Sequence, residues 1–320
     1  MIKTRITSLF GIEHPIVQGG LAHLAFAELA AAVSNAGGLG QISAASFPRA
    51  ADLKREIAKA RLLTSKPFGV NFALGHVSLE EHLDVALSEG VPVISITGGN
   101  PEPILRVVAD TPVKTIVLVA SVRQAQKAAS LGASAVIAVG YEGGGHIGRD
   151  DTTTMVLVPR VAQAVSIPVL AAGGIANGRG LVAALALGAE GIEMGTRFVA
   201  TRECPAHPNY KQAIMQASET DTLIIERPLG RPGRVLNTGG AQRIVEAEQA
   251  GLPVDELLPY YTGAANRKAA LDGDLDAGYV WAGQAIGLCE DVPSVQELVT
   301  RIMAEAEEQI FRLQGLIPRR

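Results

Sequence analysis

Cysteine is nearly absent from this chain: among 320 residues there are only Cys204 and Cys289. Two thiols build no disulfide framework, which points to a reducing compartment. Aromatic residues are scarce, at 4%. Glycine, with 35 residues, and small aliphatics take their place. That composition suits tightly packed parallel strands and close helix–strand contacts. Charge is sparse too: the net value is -4, and basic residues form no run before Arg319-Arg320. Nucleic acid is therefore not an expected partner. No apolar stretch is long enough to span a bilayer, and Met1 to Pro15 lacks the apolar segment of a secretory signal. The expectation is a soluble, cytoplasmic protein with no membrane partner. No histidines or carboxylates fall at metal-ligand spacing, so no metal is expected. No serine nucleophile elbow is present.

What the chain does contain is a rhythm. Short apolar runs end in glycine loops and alternate with alanine- and leucine-rich segments. Strands are predicted at residues 14–18, 39–43, 67–74, 91–97, 113–120, 135–139, 169–172 and 191–194. Helices are predicted between them, at 28–36, 50–63, 79–88, 101–108, 122–131, 154–165 and 180–187, and glycines close several of them. Strands that read as unbroken apolar runs are buried on both faces. Eight such βα units favour an α/β fold of the TIM (β/α)8 barrel type. The open doubly wound sheet is the alternative, but the first βα turn carries no GxGxxG fingerprint.

After the eighth strand the rhythm breaks. Residues 201–277 carry prolines, charges and short helical pieces such as 255–258. They read as a smaller capping segment over the barrel mouth. The barrel then comprises residues 1–200, completed by 278–320. Ser294 and Glu297 form a capping box for a last helix. Its apolar stripe, Val295, Leu298, Val299, Ile302 and Met303, is expected to pack on the barrel, with a homodimer contact as the alternative use.

The candidate chemistry sits in the glycine loops. Tyr141-Glu142-Gly143-Gly144-Gly145-His146-Ile147-Gly148 follows the sixth strand. Three bare glycines beside one imidazole let a flat ligand or a phosphate approach the backbone. His146 is the candidate proton-transfer group, because an imidazole titrates near neutrality. A flexible surface loop is the bland reading, and it is outweighed by the position just past a strand of a βα repeat. Gly173-Gly174 and Met194-Gly195-Thr196 follow the seventh and eighth strands. In barrels of this class those loops often hold a phosphate on backbone N–H groups and a helix N-terminus. Gly19-Gly20 ends the first strand and can accommodate a ring plane. Asn71 ends the third strand, either as an amide facing the mouth or as a turn former. His23 follows the first strand and has a weak claim on the mouth. His14 and His207 read as structural, and His76 and His82 as solvated residues flanking a helix start.

The ordered set His14-Pro15-Ile16, Asn35-Ala36-Gly37-Gly38-Leu39-Gly40, Pro67-Phe68-Gly69-Val70-Asn71, Glu142-Gly143-Gly144-Gly145-His146, Ala172-Gly173-Gly174-Ile175 and Gly195-Thr196-Arg197-Phe198 resembles the nitronate monooxygenase (2-nitropropane dioxygenase) family. The resemblance runs over nearly the whole chain. It implies FMN in a TIM barrel with a small capping domain. It makes His146 the catalytic histidine, and Asn71, Gly144, Gly174 and Met194-Gly195-Thr196 flavin contacts. Gly19, Gly20, Gly145 and Gly173 complete the expected cofactor set. The barrel is shared with FMN-dependent enoyl-acyl-carrier-protein reductases and NAD(P)H:quinone reductases. Gln18-Gly19-Gly20-Leu21 and Gly145-His146-Ile147-Gly148 resemble those branches equally well. The chain departs from the family at Val139, seven residues before the histidine, where a polar residue is usual. The first expectation is thus an FMN enzyme that oxidises alkyl nitronates with O2. The alternative is an NAD(P)H-dependent reductase of enoyl thioesters or quinones. A flavin-free barrel acting on a phosphorylated metabolite is the alternative of another class.

Overall fold

The computed structural model describes residues 2–75 and 78–316. Six strands come first: β1 (Ile16–Gln18), β2 (Gly40–Ser43), β3 (Phe68–Ala73), β4 (Val93–Thr97), β5 (Lys114–Val119) and β6 (Ala135–Val139). The two-residue β7 (Gly145–His146) precedes β8 (Val169–Ala172) and β9 (Ile192–Met194), and β10 (Thr222–Ile225) and β11 (Gly233–Leu236) complete the set. All but β7, β10 and β11 form one parallel sheet, in the order β1-β9-β8-β6-β5-β4-β3-β2. A bridge between Val17 and Leu39 joins its two ends. The architecture is the TIM (β/α)8 barrel. The eight sequence-predicted strands all occur, within a few residues of their expected ends.

Alternation along each strand sorts the side chains. Ile42, Val70, Ile94, Val136 and Ile192 face outward into the layer beneath the helices. Val17, Leu39, Val93, Ile116, Ile137 and Leu170 face inward. The N-terminal helix Arg5–Phe10, not anticipated from the sequence, sends Ile6 and Phe10 into this inner cluster. It plugs the bottom of the barrel. Its Thr4 capping box and Gly11 C-cap explain why so short a helix forms. Helices ride close on the strands where glycine permits. A Cβ on Gly40 would lie 1.9 Å from the Ala30 carbonyl oxygen. The last helix, Val295–Gln314, starts at the predicted capping box and buries its predicted stripe. It packs on the helix Gly178–Ala186, where a Cβ on Gly178 would meet Ala306 N at 2.5 Å.

The segment after β9 is more regular than its composition suggests. It contains the β10–β11 hairpin and the helices Pro208–Gln216 and Gly239–Gln249. A small core of its own joins Ile225, Val235, Ala241 and Ile244 to Tyr261 and Tyr279. The glycine–histidine motif is also not a plain loop. Its residues 145–146 pair antiparallel with Gly233–Arg234, so β7 becomes the third strand of the hairpin sheet. Buried Arg234 donates to the Tyr141 carbonyl at 2.9 Å and lies over the Tyr141 ring. His82 corrects the sequence reading. It is fully buried, with ring nitrogens 2.8 and 2.7 Å from the Ser78 and Phe47 carbonyl oxygens. His76 lies outside the described residues. His207 caps the helix that starts at Pro208, its Nδ1 accepting from Asn209 N at 3.1 Å.

Among the polar side chains that break the inward pattern, Glu193 on β9 is a carboxylic acid buried inside the barrel. Burial pushes its carboxyl up from 4.5 to about 7. Its folded value exceeds its unfolded one, so the folded chain holds the proton more tightly. Stability from this group is therefore full below pH 4.5 and falls as pH rises to about 7, by about 3 kcal/mol in all. Glu193→Gln should remove that fall. Thermal unfolding of both proteins should show the variant gaining on the wild type between pH 5 and pH 8. A constant difference across that range would refute the assignment.

Candidate active site

A cavity of about 460 Å³ opens at the C-terminal ends of the barrel strands. In the barrel, β6, β8, β9 and β1 are consecutive neighbours. Their loops are the glycine loops singled out in the sequence. Gly144, Gly145 and His146 enter the cavity wall from the loop after β6. Gly173 and Gly174 follow from β8, Met194, Gly195 and Thr196 from β9, and Gly19 and Gly20 from β1. His23 lines it as well. Asn71 does not. It is buried on β3, where its Nδ2 donates to Ser95 Oγ at 2.9 Å. Its Oδ1 is buried without a donor.

The glycines are bare for different reasons. Gly173 and Gly174 have φ of 95° and 74°, a left-handed backbone that disfavours any other residue. Gly20 is fixed by packing, since a Cβ there would lie 2.2 Å from Asn71 Cγ. Gly144 is fixed the same way, 2.6 Å from Gly283 N. Gly145 has φ of 80° and open space beyond it. Among the described residues, the N–H groups of Gly173, Gly174 and Gly195 have no backbone acceptor. A wall of this kind suits a flat ring and offers donors to an anion. Thr196 Oγ1 accepts from Gly283 N at 2.9 Å, which ties the β9 loop to the chain that follows residues 201–277.

His146 lines the cavity about half exposed. Its Nε2 is 3.5 Å from Glu226 Oε2, and its ring centroid is 5.0 Å from that of Trp281. Tyr279 meets Trp281 edge-on, also at 5.0 Å. Glu226 is buried at the tip of the hairpin with φ of 63°. Arg231 Nε pairs with it at 2.6 Å, and the Glu226 N–H donates to Glu248 Oε1 at 2.7 Å. The Tyr261 hydroxyl donates to that same Glu248 oxygen at 2.7 Å. Burial pushes both the Tyr261 and Tyr279 phenols above their ordinary range, so they stay neutral. The cavity thus has a glycine wall, an aromatic wall and an imidazole backed by a carboxylate. No group of metal-ligating side chains occurs among the described residues. None of their helices is long and apolar enough to cross a membrane.

Sequence reasoning missed Glu226, Arg231, Tyr279 and Trp281, which reach His146 only through the pairing of β7 with β11. It also missed Glu193, which lines the floor. There a signal existed: an acid in the middle of the buried run Gly191–Met194. Val139 lines the floor too, and a Cβ on Gly143 would touch it at 2.9 Å.

Comparison with known proteins agrees with this geometry. The chain is 43% identical to FabK from Thermotoga maritima, with a TM-score of 0.94 over 99% of this chain and 100% of that one. It is 35% identical to a 5-hydroxy-7a-methyl-1-oxo-octahydro-1H-indene-4-carboxyl-CoA dehydrogenase of Rhodococcus jostii, over 98% of this chain and 99% of the relative. It is 33% identical to a probable nitronate monooxygenase of Staphylococcus saprophyticus, over 97% and 99%. The sequence profile of the nitronate monooxygenase family matches residues 3–82 and 74–305. Six ordered motifs, an eight-stranded barrel and a profile match along almost the whole chain give one answer: this protein belongs to the nitronate monooxygenase family.

Proposed function

We propose that this chain is an FMN-dependent oxidoreductase that uses NAD(P)H to reduce an acyl thioester. The observation that carries the flavin is the convergence of four glycine loops on one cavity, with unpartnered N–H groups along its wall. Gly173, Gly174, Gly195 and Thr196 would hold the phosphate, and Gly19, Gly20, Gly144 and Gly145 would flank the ring. Bound there, FMN supplies hydride and electron transfer that no side chain of the cavity provides. The protein's own part is to orient and to move a proton. His146 would give a proton to the substrate, held in place by Glu226 and by the Trp281 ring. The 201–277 segment is proposed to cap the mouth, its hairpin carrying Glu226 and Arg231.

A thioester is supported by the aromatic wall and by the relatives. Trp281, Tyr279 and Tyr261 offer an extended amphipathic surface, which a nitronate of a few atoms does not need. The likeness to FabK covers the full chain, and the Rhodococcus relative is named for a carboxyl-CoA substrate. The second reading is oxidation of alkyl nitronates with O2, with His146 as base. The family and the Staphylococcus relative support it.

Three outcomes are expected. The purified protein should be yellow and should release one FMN per chain on denaturation. A colourless protein that fails to bind added FMN would instead favour the barrel acting on a phosphorylated metabolite. Anaerobic mixing with NADH or NADPH should bleach the flavin quickly. Bleaching by a nitronate and by neither nucleotide would transfer the assignment to the monooxygenase. His146→Ala should cut turnover by about 10²–10⁴-fold while FMN affinity and bleaching by NAD(P)H persist. Loss of flavin from that variant would make His146 a cofactor ligand, and unchanged turnover would remove it from the chemistry.

A further inference from the structure

Reduction of a bound flavin brings negative charge into the cavity, and the chain offers little to meet it. Among the described residues, Arg231 is the one lysine or arginine that lines the cavity, and Glu226 already holds its guanidinium. The floor is otherwise built from the inward side chains of the barrel. Glu193 is there, on β9, two residues before Gly195. Its carboxyl carbon lies 3.7 Å from where a Cβ on Gly19 would sit. Its neighbours on the adjoining strands, Val17 and Ala172, are apolar. Among the described residues, no hydrogen bond or ion pair holds the carboxylate, in contrast to Glu142, which Thr154 holds through two bonds of 2.9 Å. The remaining ionisable groups of the cavity are His23, Glu142, His146, Glu226, Tyr261 and Tyr279, on the loops and the segment after β9.

We propose that Glu193 is a proton acceptor that offsets the charge of the reduced flavin in this cavity. The inference rests on the flavin assignment made above. A flavin held here would take two electrons and one proton from the reductant and would then carry one added negative charge. A second proton, from water, joins the Glu193 carboxylate and leaves it a neutral acid. Like charges in a low-dielectric space disfavour one another, so the arrival of the first raises the proton affinity of the second. Burial alone has already brought this carboxyl to about 7, so a modest further rise has its effect just above neutrality.

The test is the pH dependence of the flavin midpoint potential, measured by anaerobic spectroelectrochemistry between about pH 7 and 9 on the FMN-loaded protein. The slope gives the protons taken up per two electrons, by linkage. The wild type should rise clearly above about one just above neutrality and Glu193→Gln should stay at about one, while His146→Gln should keep the wild-type value. A reduced-minus-oxidised infrared spectrum of the wild type supplies a measurement that needs no variant. It should gain a band of a protonated carboxylic acid that shifts in D2O. Equal slopes in wild type and Glu193→Gln, or no such band, would overturn the proposal and leave the flavin assignment standing. A wild type that binds no FMN would overturn both.

Discussion

Two backbone hydrogen bonds, Gln18 N to Leu39 O at 3.0 Å and Leu39 N to Ile16 O at 2.9 Å, close the ring of eight strands. That closure turns the sheet into a barrel with an interior. β1 is only three residues long, and without its seam to β2 the sheet would be open at that edge. Once closed, the parallel ring sends every βα loop to one end. The strand order itself makes β6, β8, β9 and β1 a continuous arc. Four glycine loops that are separated by up to about 175 residues in the chain thereby become one wall. The constraint reaches outward as well. Gly191 would bring a Cβ to 2.7 Å from the Pro15 carbonyl, and Gly40 one to 1.9 Å from Ala30. Several glycines far from the cavity are therefore there to let the ring close under its helices.

That distinction changes how the glycine motifs are understood. A glycine in a candidate site invites a ligand, yet Gly20 and Gly144 are already accounted for by Asn71 and by the 282–283 segment. Gly173, Gly174 and Gly145 are different, since each takes a left-handed φ at the cavity wall. Asn71 then acquires a role that its sequence position did not suggest. Its amide stands directly behind Gly20, where a Cβ would lie 2.2 Å from Asn71 Cγ.

The barrel was legible because burial on both faces leaves a plain trace, an apolar run of four to seven residues closed by glycine. Residues 50–63 and 79–88 were equally plain as helices, and both ends of each agree with the structure. The cap was less legible. β10 and β11 are four residues each, and β11 reads Gly-Arg-Val-Leu, with its arginine buried under Tyr141. A buried charge satisfied by a distant carbonyl leaves no local periodicity. The partners of His146 were illegible for the same reason. Glu226 and Trp281 lie 80 and 135 residues further along the chain, and a two-residue strand brings them together. His82 failed differently. Its two ring nitrogens lie beside the carbonyls of Ser78 and Phe47, and only the tertiary fold supplies the second.

The two ends of the barrel interior show where the fold tolerates cost. The lower end is filled by Ile6, Phe10 and Ile12, apolar and without an unpaired polar atom of their own. The upper interior carries Gln41, Ser43, Asn71, Ser95 and Glu193, all buried. Three oxygens there, Gln41 Oε1, Ser43 Oγ and Asn71 Oδ1, have no donor from the chain. A buried polar atom left unpaired costs about 1–3 kcal/mol, and a desolvated carboxylate costs more. Apolar residues of similar volume would remove that cost and keep the barrel closed, as they do a few ångströms below. The polar belt is confined to the end where the glycine wall and His146 converge. Stability does not account for that placement, whereas the exchange of charge and protons proposed above for a bound flavin would.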